Sequence, residues 1–132
     1  METTKLEQVP IPRPVLRRAA MIIEGQSRVP VSPADVDDGG KVILCAAGCV
    51  ASAGFRVNFS EEEARLFEQE LTCSRSSALL EHAFERHGWS RWLCESLVIT
   101  NDRLPPGERK PRLQKLFRDL ASEKSPNTIA AC

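Results

Sequence analysis

At 132 residues, with 18 basic and 18 acidic side chains, the chain has the length of one domain and a formal net charge of zero. That balance excludes a global electrostatic pull toward nucleic acid, membrane or acidic substrates and leaves the matter to local clustering. Five cysteines at 45, 49, 73, 94 and 132, an odd count without paired spacing or an apolar leader, argue for a reduced, cytoplasmic protein rather than a secreted disulfide scaffold.

Residues 1–12 (METTKLEQVPIP) read as an extended lead-in, because Pro10, Pro12 and Pro14 oppose regular helix. A first helix is expected from Pro14 to Glu24, with Gly25 as its stop and Leu16, Ala19, Ala20 and Ile23 on one face. Arg17 and Arg18 fall to the sides. Residues 26–40 are rich in turn formers. Ser32-Pro33 suits the cap of one short helical turn through Asp37, and Asp37-Asp38-Gly39-Gly40 reads as a loop ending at the next helix.

Val42 to Phe55 (VILCAAGCVASAGF) then carries no charge, in a chain where 27% of residues are charged. The run reads as a helix at about 41–54, apolar on every side and so buried on every side, ended by Gly54. It is too short to span a bilayer. Phe55, Val57 and Phe59 alternate with Arg56 and Asn58 as an extended connector. Ser60 to Glu63 has the form of a capping box for a third helix carrying Ala64, Phe67 and Leu71 inward and stopping near Thr72.

A fourth helix over 76–87 presents Leu79, Leu80, Ala83, Phe84 and His87, with Gly88 as its terminator. Ser90 caps a fifth, carrying Trp92, Leu93, Leu97 and Val98, which ends at Thr100-Asn101-Asp102 and leads into the turn Pro105-Pro106-Gly107. Leu113, Leu116, Phe117 and Leu120, at i, i+3, i+4 and i+7, mark the last helix. The expectation is an all-α, single compact domain of about five or six helices over 13–122, packed around the buried helix at about 41–54, with a loose tail at 123–132.

The early helix LRRAAMIIEG, the Cys-x-x-Gly helix at Cys45-Ala46-Ala47-Gly48, and the Asn101-Asp102 turn before the final helix RLQKLFRDLA resemble a family of short bacterial and phage proteins with no established activity. The resemblance spans about residues 15–121 and departs from the family pattern at Thr100, where tryptophan is usual. It implies organisation and no chemistry.

Three chemistries remain open. The first is a cysteine-dependent hydrolase or transferase. Papain-like enzymes set a cysteine at the first turn of a buried helix, followed by a histidine and an orienting Asn or Asp, and Cys45, His82 or His87, Asn101 and Asp102 occur in that order. His87 is the better placed histidine, at a helix end beside Gly88. A helix starting near Lys41 buries Cys45 about two turns inside, beyond the reach of the dipole. An extended Lys41–Leu44 sets it at the N-terminus instead, where a thiolate is favoured, and both conformations suit KVIL. Against catalysis stand the ordinary roles of these residues: core cysteine, histidine at a helix C-terminus, solvated His82, turn-forming Asn101 and Asp102.

Cys45 and Cys49 share a helix side, but no Cys-x-x-Cys or His-x-x-x-His pair accompanies them, so neither a metal nor a cofactor is expected. The second chemistry is nucleic-acid binding by a basic strip, Arg112, Lys115 and Arg118, which equally reads as the solvated face of an amphipathic helix and has no tyrosine for stacking. The third is a non-catalytic accessory or protein-interaction module, with Trp89 and Trp92 beside Ser90 and Arg91 as interface candidates or as core. This third reading is favoured, with another protein or a second copy as partner, and with neither nucleic acid nor membrane.

Overall fold

The structure, a computed structural model, describes residues 11–31, 34–62, 64 and 75–122. The lead-in over 1–10, Ser32-Pro33, most of the expected third helix and the tail 123–132 lie outside the described residues. Helix α1 (Arg13–Glu24) starts where Pro12 precedes it and Pro14 sits in its first turn, positions at which a missing N–H costs no intrahelical bond. Gly25 closes it, donating to the carbonyls of Met21 and Ile22 at 3.2 Å.

After α1 the chain forms a hairpin, where a helical turn and the start of the central helix were expected. Strand β1 (Ala34–Val36) pairs antiparallel with β2 (Val42–Leu44) in the register Ala34↔Leu44, Asp35↔Ile43, Val36↔Val42. The cause lies in the connecting loop. Asp37 Oδ1 accepts from the N–H groups of Gly39 and Lys41, both at 2.9 Å, while the Asp37 N–H donates to the Lys41 carbonyl. Gly40 takes a φ of 83°, which a side chain would resist. A closed loop of this kind demands extended arms, and β-branched Val42 and Ile43 accept extension readily. Helix α2 therefore runs Ala46–Phe55 and does not begin near 41.

Gly54 does not end α2. The helix continues to Phe55, and Arg56 reverses the chain in the left-handed region at a φ of 54°. Gly54 is needed for packing instead: a Cβ there would collide with Trp89 Cη2 and lie 3.2 Å from Cζ2.

Helices α3 (Arg75–Arg86), α4 (Arg91–Arg103) and α5 (Pro106–Ala121) complete the described chain. The Ser90 hydroxyl caps α4 by accepting from Leu93 N–H at 3.0 Å. α4 runs on through Asn101 and Asp102, so these form its last turn rather than a turn between helices. Pro105 and Pro106 then start α5 almost at once.

The fold is all-α in class, with the hairpin as its one ribbon among the described residues. α1 packs on α5 and on α2, and α2 also meets α3 and α4, so α2 is central. Its Ala46, Cys49, Val50 and Ala51 are shut off from solvent, and their small side chains let neighbouring helices approach closely. Larger residues fill the space around them: Leu16 and Ile23 of α1, Leu93 and Leu97 of α4, and Phe117 of α5. Burying each contributes about 1.5–3 kcal/mol relative to exposure. Ile11, assigned to the lead-in on the sequence, is 1% exposed and belongs to this core. The burial of α2 is not complete on every side: Ala47, Ser52 and Gly54 remain partly open. No described helix is long and apolar enough to cross a membrane.

Candidate functional site

The N-terminus of α2 is the most polar place in the core. β2 delivers the chain to Cys45, whose extended backbone makes it the N-cap, and the Gly48 N–H donates to its sulfur at 3.4 Å. One residue on, the Ala46 N–H donates to Asn101 Oδ1 at 2.9 Å. Asn101, 1% exposed, spends its Nδ2 on the Pro30 carbonyl at 3.1 Å, so one side chain ties α4 to α2 and to the loop after α1. Behind it, Arg109 Nε donates to the Asn101 carbonyl at 2.9 Å and Nη1 to the Val29 carbonyl at 3.4 Å.

On the preceding residue, Gln26 acts as a piece of missing strand. Its Oε1 accepts from Leu44 N–H at 2.8 Å and its Nε2 donates to Leu44 O at 3.0 Å, which satisfies both backbone groups of the last β2 residue. Gln26 and Asn101 are the buried polar side chains of the described core, and both are spent on backbone near Cys45.

Cys45 therefore sits where a papain-like nucleophile would, at a helix N-terminus with Asn101 adjacent. Its environment disfavours the thiolate that this role requires. Burial pushes the thiol pKa up; N–H groups of Gly48 and Ala47 pull it back down, and the charge of Asp102 adds to the rise. Cys49 is driven well above its ordinary value by burial, with Cys45 contributing, and Cys94 is pushed up to about 12, mainly by burial.

The histidines are at the other end of α2. His82 and His87 lie beside Phe55, with ring centroids 6.1 and 6.2 Å from its ring and 5.2 Å from each other. Nine residues of helix at 1.5 Å each separate Ala46 from Phe55, roughly 14 Å. The structure thus joins Cys45 with Asn101 and Asp102 and leaves both histidines out. His87 and His82 are both exposed. Among the described residues, no group of three or more His, Cys, Asp or Glu side chains is arranged to hold a metal ion.

The two tryptophans divide. Trp89 is core, 9% exposed, with its ring tilted 38° to that of Phe55 at 5.9 Å and seated on Gly54. Trp92 is 60% exposed on the outer face of α4, and Ile99, two turns on, is 49% exposed. A groove of about 480 Å³ lies on one side, between α4 and α5, bordered by Trp92, Ile99, Leu104 and Arg112. A second, of about 420 Å³, lies on the other side over Ala47, Leu80, Phe84 and Val98. Ile99 borders both. At the rim of the second, the Arg91 guanidinium sits 4.6 Å over the Phe84 ring and pairs with Glu81, both oxygens engaged at 2.6 and 2.9 Å.

The basic strip of α5 is matched by acids. Arg112 pairs with Glu108 at 3.3 Å, Lys115 with Asp119 at 3.1 Å, and Arg118 with Glu24 of α1 at 3.4 Å. Each cation offered to a phosphate would first have to leave a carboxylate.

Comparison with protein-family models, curated proteins and solved structures returns no match.

Residues that the sequence reading passed over are Gln26 and Ile99. Ile99 had a legible signal: Trp92, Ser96, Ile99 and Arg103 recur at helical spacing on the face opposite Cys94 and Asn101. Gln26 had none, because a glutamine after a helix-ending glycine looks like any turn residue.

Proposed function

We propose that the protein is a non-catalytic protein-interaction module of a reducing, cytoplasmic compartment, and that it docks through the outer face of α4. The observation that carries the reading is Trp92 and Ile99 exposed together on one anchored helix, with a groove on either side. Single exposed apolar residues are ordinary. A tryptophan and an isoleucine on one face, rimmed by Arg91, Arg103 and Glu108, have the make-up of an interface anchor with a polar rim. Three buried thiols with raised pKa, Cys45, Cys49 and Cys94, support the non-catalytic part: none is poised as a nucleophile.

The test is a displayed library of helical peptides selected on the full chain, with binding followed by the fluorescence polarisation of a dye-labelled peptide. The expected binders share one site and lose at least about tenfold in affinity to a Trp92→Ala/Ile99→Ala variant, which corresponds to about 1.4 kcal/mol. Undiminished affinity in that variant overturns the reading.

A further inference from the structure

The occupant of this face can be argued from the helix itself. Resting on the docking reading above, we propose that it is a second copy of the chain, with the two α4 helices antiparallel across a two-fold axis. The exposed stripe runs Trp92, Ser96, Ile99, Arg103, with steps of four, three and four residues, so it superposes on its own reversal. In that arrangement Trp92 meets the partner's Arg103, a cation over an indole face. Ser96 meets the partner's Ile99, a small side chain opposite a large one, which lets the helix axes approach to about 8–10 Å.

A parallel pairing would instead set Trp92 against Trp92 and Arg103 against Arg103, so the order of the stripe selects the antiparallel form. An isologous contact also closes on itself and ends at a dimer. With a formal net charge of zero, two copies approach without overall repulsion. The contact is made by a 13-residue helix and the rims of its two grooves. This corresponds to the small class of specific interfaces.

Sedimentation velocity on the full chain, from about 5 to about 500 µM, tests this. The wild type is expected to pass from monomer to dimer, and Trp92→Glu to remain monomeric throughout. Arg103→Glu, an exposed change far from the core, carries the same expectation should Trp92→Glu fold poorly. A dimer that Trp92→Glu dissociates and Arg103→Glu leaves intact overturns the antiparallel pairing, which sets these two side chains in contact. A wild type that stays monomeric overturns the second copy, while selected peptides that still require Trp92 would leave the docking face standing. A dimer indifferent to both Trp92→Glu and Arg103→Glu sinks the docking face along with the pairing.

Discussion

Replacing Asn101 by alanine is the sharpest test of how this fold is tied together. The carboxamide supplies an acceptor to the Ala46 N–H and a donor to the Pro30 carbonyl, at 2.9 and 3.1 Å. Both partners are buried, Ala46 completely, so truncation strands a donor and an acceptor away from solvent. Each orphan costs about 1–3 kcal/mol, and a water admitted into the vacated volume would recover part of it. A loss of about 2–4 kcal/mol follows, a large share of the roughly 5–15 kcal/mol that holds a domain of this kind. Urea unfolding followed by far-UV circular dichroism should show the midpoint falling with the slope unchanged, since the surface exposed on unfolding is the same. Amide exchange adds a local readout: the Ala46 N–H should lose protection far beyond the global drop in stability. A loss below about 1 kcal/mol, or an Ala46 amide as slow as in the wild type, would refute the view that Asn101 holds α2, α4 and the loop at Pro30 together.

Gly54→Ala should destabilise by about 1–3 kcal/mol and shift Trp89 emission, because the added methyl collides with the indole; an unchanged melting temperature would contradict that packing. Cys45→Ser, which keeps an N-cap acceptor, should hold stability within about 1 kcal/mol, while Cys45→Ala should lose about 0.5–2 kcal/mol, both read by chemical denaturation. Ellman's reagent should leave Cys45 untouched in the native protein at pH 8 and react on unfolding, since burial holds the thiol above its ordinary pKa. Trp92→Ala should change stability by no more than about 0.5 kcal/mol, as expected of a side chain outside the core. Asp37, held below its ordinary pKa chiefly by the Lys41 backbone N–H, stabilises the hairpin above pH 3.8, and that contribution fades as the pH falls through its folded value. Asp37→Asn should therefore flatten the acid end of a melting-temperature profile, and an unaltered profile would count against the loop geometry.

Long amphipathic segments were readable from the chain. Leu113, Phe117 and Leu120 announce α5, and Leu16, Ala19, Ala20 and Ile23 announce α1, because a repeated apolar spacing reports the face that must be covered. The hairpin was not readable in the same way. Val42-Ile43-Leu44 suits a buried helix and a buried strand equally, and the choice falls to Asp37 and Gly40, whose loop closes the ribbon several residues earlier. Trp89 and Trp92 were alike on the sequence and opposite in the fold, since the glycine that admits Trp89 lies 35 positions upstream at Gly54. Asn101 shows the same limit: a turn-forming residue by type, it is buried because it meets a helix N-terminus 55 residues away.

That N-terminus also explains why a cysteine stands at position 45. A helix start buried in a core must satisfy its first N–H groups without water. Here the Ala46 N–H is taken by Asn101 and the Gly48 N–H by the Cys45 sulfur, with the Ala47 N–H also turned toward that sulfur. An aspartate would accept more strongly but bring a charge into a site that is 5% exposed, and alanine would accept nothing. A thiol is the compromise, a weak acceptor that is nearly as inexpensive to bury as a methyl group. The same arrangement removes what a thiol enzyme needs. The donors that would steady a developing oxyanion are already engaged, and the imidazoles that would take the thiol proton stand at the far end of α2. A position that resembles a nucleophile by order in the chain is, by its bonds, the cap that lets a neutral helix begin inside the core.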